Sequence, residues 1–292
     1  RHTIFLSLIR KNVLACESIE MLRFVVNSKK RDILQERPPM RLSRVTITGA
    51  DTSISPEVLV SLSQSYPFVE WGILVSFSSQ VVLHLPYLTR FPPPTWIREL
   101  QHLAIHHPMQ LSLHLCGRWP RYLLLGDLAL PATLYEGFQR VQFNFPPNCW
   151  HLSYDPEHFV ETLRAFGQRQ LIFQIDDPMA INALEDASKR GSDLDCVPLF
   201  DQSHGSGMLP QRWPTWRMLQ HAYPTYGYAG GLGPYNLRSE IPQIAHVAGE
   251  VDVWIDMETH VRTDDRQCFS LEKVARCLEI LEPFVSGETL CR

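Results

Sequence analysis

The residues in this chain best suited to moving protons are carboxylates placed where an apolar strand gives way to a flexible loop. The run "LFDQSHGSG" (199–207) ends a strand-like segment in Asp201 and continues at once into a loop carrying Gly205 and Gly207. A carboxylate in that position is where many barrel enzymes keep an acid or a base. Asp also initiates turns, because its side chain bonds its own backbone two residues on, so this stretch by itself carries both readings. Three further acids fall at comparable strand ends: Asp51 in "TITGADTS" (46–53), and Asp256 and Glu258 in "VWIDMETHV" (253–261). Carboxylates gathered at one barrel mouth raise one another's pKa, which suits acid/base work on a neutral sugar. Asp51 could supply a base from the first strand, or cap a helix that begins near Pro56, the commoner role for such a sequence.

"AGGLGPYN" (229–236) is the most specific signal in the chain. Paired glycines, Gly230 and Gly231, let a backbone approach a ligand closely, and Pro-x-Asn opens the next helix, whose N–H groups can hold a phosphate. In barrels that site commonly lies on the loops after strands seven and eight; elsewhere a glycine pair is a tight turn. His114 and Cys116 share one strand face by two-residue alternation and could form a thiolate–imidazole pair, against the usual role of a buried Cys as an inert small hydrophobe. Glu70 sits early in its strand, where burial demands an Arg or Lys partner. The twelve histidines include "HLAIHH" (102–107), read as a helix end where His favours the dipole. No metal-ligand spacing occurs, and neither a metal nor a cofactor is expected.

These residues need a frame. Strand-like runs recur at 44–49, 68–76, 110–117, 140–145, 170–176, 195–201, 225–231 and 252–259, with helical patterns between them. Strands that are apolar along their whole length, separated by helices, indicate a parallel sheet covered on its outer face. Eight is the count that closes a (β/α)₈ TIM barrel, so the α/β barrel is expected over 44–285. The alternative, an open doubly wound sheet, lacks its glycine fingerprint after the first strand. Residues 1–43 read as a helical extension and linker broken by "RPPM", and 286–292 as a tail. "SSQVVLHLPYLTRF" (78–91) reads as a long loop on the active face, and "FPPPTW" (91–96) and "NFPPNCW" (144–150) as rigid loops that deliver helices.

Composition narrows the partners. A net charge of −4, with no basic run longer than "KKR" (29–31), gives no electrostatic case for nucleic acid. Seven scattered cysteines without a C-x-x-C suggest reduced thiols in a cytoplasmic protein. No apolar run approaches the ~20 residues of a membrane span, and "RHTIFLSLIR" lacks the features of a signal peptide. Composition does not fix the oligomeric state.

"YAGGLGPYNL", "LFDQSHGSGMLPQRW" and "VWIDMETHV" together resemble, in order and spacing, the last three strands of the phosphoribosylanthranilate isomerase family. The matches are Asp201, Gly205, Gly207 and Trp213 on strand six, and Ala229, Gly230, Gly231, Leu232, Pro234 and Asn236 on strand seven. The resemblance extends loosely over 44–285 and is specific from about 195 onward. It implies an Amadori rearrangement of a phosphorylated sugar derivative, as in tryptophan synthesis, with Asp201 as the general acid. It also implies an arginine after the second strand, here Arg90, for a substrate carboxylate. Two positions depart from the family. Thr48 stands where the family has its basic cysteine, and a Thr hydroxyl is far too weak a base without an activating partner. Glu258-Thr259-His260 stands where the family's Ser-Ser-Gly grips phosphate, and a carboxylate there repels it. The expectation is therefore a sugar-phosphate isomerase of altered substrate. The alternatives are a barrel that binds a small ligand without turnover, or a hydrolase or lyase using the carboxylates of the mouth.

Overall fold

A computed structural model of the chain describes residues 41–76, 90–126, 131–146, 149, 152–176, 178–203, 205–219 and 222–285. The expected extension up to residue 40, the tail at 286–292 and most of the loop at 78–91 lie outside the described residues.

Eight parallel strands close into a barrel in sequence order. They are β1 (Arg41–Thr48), β2 (Val69–Ser76), β3 (Gln110–Cys116), β4 (Arg140–Phe143), β5 (Gln170–Ile175), β6 (Cys196–Phe200), β7 (Tyr226–Ala229) and β8 (Asp252–Met257). Helices are interleaved: α1 (Pro56–Ser65), α2 (Pro94–His106), α3 (Trp119–Leu125), α4 (Ala132–Tyr135), α5 (Pro156–Arg164), α6 (Pro178–Arg190), α7 (Leu237–Ala248) and α8 (Leu271–Leu281). The strands are buried on both faces, β2 along all eight residues, because helices cover the outside and side chains fill the inside. Helix starts follow their local chemistry. Asp155 caps α5 by accepting from the N–H groups of Glu157 and His158, and Pro56 and Pro94 occupy first-turn positions that need no N–H. The patterns missed α3 and α4, which are short, and β6 connects to β7 through a single 3₁₀ turn, Trp216–Met218, among the described residues.

The barrel interior is divided. One side is an apolar cluster of Ile172, Val197, Leu199, Ala229 and Trp254. The other is charged: Glu70, fully buried, is held by Arg140 at 2.8 Å, Arg44 at 3.0 Å and Thr46 Oγ1 at 2.8 Å. Burial would raise the Glu70 pKa, but the two guanidinium groups outweigh it and hold the carboxyl below its ordinary range. Arg140 also stacks on Trp254, 4.2 Å from the ring centroid. Glu70 thus has the partner its depth requires. Trp213 ties the long β6–β7 connection to α7, packing edge-on to Tyr228 and donating to Glu240 at 2.9 Å.

Candidate active site

The C-terminal ends of the strands surround a cavity of about 210 Å³. Asp201, Asp256, Glu258, Arg90, His260, Gly205, Gly207, Gly230 and Gly231 all line it. Asp201 follows β6 directly. Its Oδ1 accepts the Ser203 N–H at 2.8 Å and its Oδ2 accepts Gln174 Nε2 at 3.1 Å. The turn role and the cavity-facing role therefore coincide in one side chain.

Asp256 is buried in β8. The Thr48 hydroxyl donates to its Oδ1 at 2.6 Å, and Gln142 Nε2 reaches its Oδ2 at 3.5 Å. Burial pushes the Asp256 carboxyl up to about 7; the Thr48 bond opposes the rise, and the charges of Glu258 and Asp201 add to it. Asp256 therefore exchanges its proton near neutrality, as a general acid or base must.

Other expected residues take different roles. Asp51 neither caps α1, whose N-cap is Ser55, nor lines the cavity. It is buried against Arg262 at 2.7 Å, and the same guanidinium donates to the Gly49 carbonyl, clamping the β1 end to the β8 loop. Asp51 is thus held in a structural ion pair outside the cavity lining, in place of the basic role expected for it. Arg90 binds Glu258 at 2.5 Å, so its charge is already matched within the protein. His114 and Cys116 do not make a thiolate–imidazole pair. Burial pushes the thiol up to about 12 and the imidazole down to about 3, while the Cys116 sulfur accepts from Asn144 at 3.3 Å.

The glycine loops interlock. Thr259 Oγ1 donates to the Gly205 carbonyl at 3.2 Å and His260 Nε2 to the Gly207 carbonyl at 2.8 Å. Gly231 has φ +69°, and a Cβ there would lie 2.5 Å from the Leu209 nitrogen. This glycine is required by another protein backbone. A Cβ on Gly233 would lie 2.4 Å from His260 Cβ, so His260 occupies the ground between the β7 and β8 loops. Asn236 lies outside the cavity lining. Its amide bonds the Gly231 carbonyl and the Gly233 N–H, at 2.7 and 2.9 Å. Its role is to fix the loop, in place of the binding role expected for it.

No family model and no curated protein matches the sequence. Among solved structures, a truncated form of 3-deoxy-D-arabino-heptulosonate 7-phosphate synthase from Thermotoga maritima is 10% identical, with a TM-score of 0.49 over 83% of this chain and 86% of that one. ZgEngAGH5_4 wild type is also 10% identical, with a TM-score of 0.43 over 85% of this chain and 99% of that one. Neither likeness bears on chemistry; the barrel is established by the strand order of this chain itself.

A wall of amides completes the cavity and was not anticipated: Gln142 and Asn144 from β4 and the loop after it, and Gln174 from β5. Gln142 Nε2 donates to Asn144 Oδ1 at 2.9 Å. The signal lay in the sequence, since "RVQFNF" places polar residues at alternate positions of an otherwise apolar strand, all facing inward. Among the described residues, no cluster of three or more His, Cys, Asp or Glu is arranged to hold a metal ion, and no helix is long and apolar enough to cross a membrane.

Proposed function

We propose that this barrel is an acid/base enzyme acting on a small sugar-like substrate, with Asp256 as the proton-carrying group and Asp201 as the carboxylate that works with it. The observation that carries this is two carboxyl groups lining one cavity in unlike surroundings. Asp256 is buried under a Thr hydroxyl and raised to about 7, whereas Asp201 accepts an amide N–H at each oxygen. Environments that differ in this way are how one site holds both a proton donor and a proton acceptor. Hydrolysis and elimination both use such a pair. The free thiols of Cys116, Cys149, Cys196, Cys268 and Cys277 support a cytoplasmic setting.

A second reading is the Amadori-type isomerisation of a sugar phosphate that the last three strands resemble. It is favoured by Asp201 and Gly230 lining the same cavity. Against it stand Thr48, committed to Asp256, and His260, committed to Gly207.

The test is turnover of a panel of small aldoses, ketoses, glycosides and sugar phosphates, followed by NMR, with wild type, Asp256→Asn and Asp201→Asn. Each variant is expected to lose about 10²–10⁴-fold in rate with little loss of binding. Wild-type rates in either variant overturn its assignment, and phosphoribosylanthranilate turned over in preference to the rest selects the second reading. A wild type inert towards the whole panel would instead favour a barrel that binds its ligand without reacting.

A further inference from the structure

We infer that the substrate of this cavity is an unphosphorylated polyhydroxy molecule of about one sugar ring, with one hydroxyl seated between His114 and Gln142. The inference rests on the reading of the cavity as a substrate site and adds its chemical class.

His114 on β3 and Gln142 on β4 are register partners on adjacent strands. Both are buried and both line the cavity. Among the described residues, neither ring nitrogen of His114 and not the Oε1 of Gln142 has a hydrogen-bond partner. Buried polar atoms left unpaired cost stability, so a fold that keeps them side by side on a cavity wall has a use for them. Gly72 allows the arrangement: a Cβ there would lie 2.9 Å from His114 Nε2 and 2.1 Å from Thr48 Oγ1.

The chemistry of the pair selects a hydroxyl. Burial keeps the imidazole neutral, so the ring has one N–H to give, while Gln142 Oε1 can only accept. A hydroxyl donates to the amide oxygen and accepts from the ring. A phosphate or carboxylate oxygen has no proton for Oε1 and leaves it unpaired. The rest of the wall agrees. Asn144 and Gln174 add amides suited to further hydroxyls, and Asp201 disfavours an anion. Arg90, which lines the cavity, is already paired with Glu258. His260 fills the ground between the β7 and β8 loops, where barrels commonly hold a phosphate. The volume, about 210 Å³, is below the roughly 300–1,000 Å³ of pockets for drug-sized ligands.

Binding of D-ribose, D-arabinose, D-glucose and D-galactose, each paired with its monophosphate, is measured by calorimetry at pH 7 on wild type, His114→Phe and Gln142→Leu. At least one free sugar is expected to bind, and its monophosphate at least about tenfold more weakly. Each variant is expected to lose several-fold to about tenfold in affinity, as when one buried hydrogen bond is removed. His114→Phe replaces a ring without partners by an apolar one of similar shape, so it is expected to fold as wild type by circular dichroism; Gln142→Leu supplies an independent readout. The inference is overturned if no free sugar binds, if a monophosphate binds as well as its free sugar, or if both variants bind as wild type. A free sugar that binds through His114 but is not turned over supports this inference and sinks the acid/base reading.

Discussion

The hydroxyl of Thr48 donates to Asp256 Oδ1 at 2.6 Å, across the seam where the first strand of the barrel meets the last. The end of the first strand, a place where a barrel could hold a base, here serves a neighbouring carboxyl. That bond stabilises the charged form of Asp256 and moderates the rise that burial causes.

Thr48→Val is therefore expected to raise the Asp256 pKa above about 7. If Asp256 acts as the acid, activity falls as pH rises through its pKa. The variant should move that falling limb upward by about one to two pH units. The pH–rate profile on the substrate found by panel screening reads this directly, and an unmoved limb would separate Asp256 from the proton transfer. Thr48→Cys alone is expected to create no phosphoribosylanthranilate isomerisation, because His260 and Glu258 still line the mouth.

Two buried groups tilt stability in opposite directions with pH. Asp256 titrates higher in the folded chain than its ordinary 3.8, so folding binds a proton and this contribution declines as pH rises from about 4 to about 7. His114 titrates lower than its ordinary 6.5, at about 3, so its contribution grows with pH from about 3 to about 6.5. In wild type the two slopes oppose each other. Asp256→Asn removes the first, and is expected to be more stable than wild type at pH 8, by up to about 4 kcal/mol. Its stability should then fall steeply on acidification below pH 6.5. Urea unfolding at pH 4, 6 and 8 checks both signs.

Gly231→Ala is expected to destabilise by more than about 2 kcal/mol, because φ is +69° and the new methyl would sit 2.5 Å from the Leu209 nitrogen. Gly137 is the control. It has φ +78° in a turn closed by the Phe138 N–H on the Tyr135 carbonyl, and nothing within 4 Å of an added Cβ, so Gly137→Ala should cost only the ~1–2 kcal/mol of a positive-φ backbone. Chemical denaturation of both variants isolates the close approach of the β6 and β7 loops. Equal losses would mean that the loops separate freely.

The sequence by itself determined the barrel. Eight runs apolar on both faces, spaced by helical patterns, have few other ways to bury their surface, and each of the eight holds a strand. It also placed Asp201, Asp256 and Glu258 at strand ends, because side-chain alternation is local. What it could not determine was which neighbour each charge meets across the closed sheet. Asp51 and Arg262 are 211 residues apart in sequence, as are Thr48 and Asp256 by 208, and barrel closure alone brings them together. The same holds for the glycines. A Gly-Gly pair reads locally as backbone freedom for a ligand, and only the packed β6, β7 and β8 loops show that Gly231 makes room for the Leu209 backbone and that His260 fills the space beside Gly233. Strand identity is written in residue periodicity; the charge and shape of the mouth arise from contacts between residues far apart in the chain.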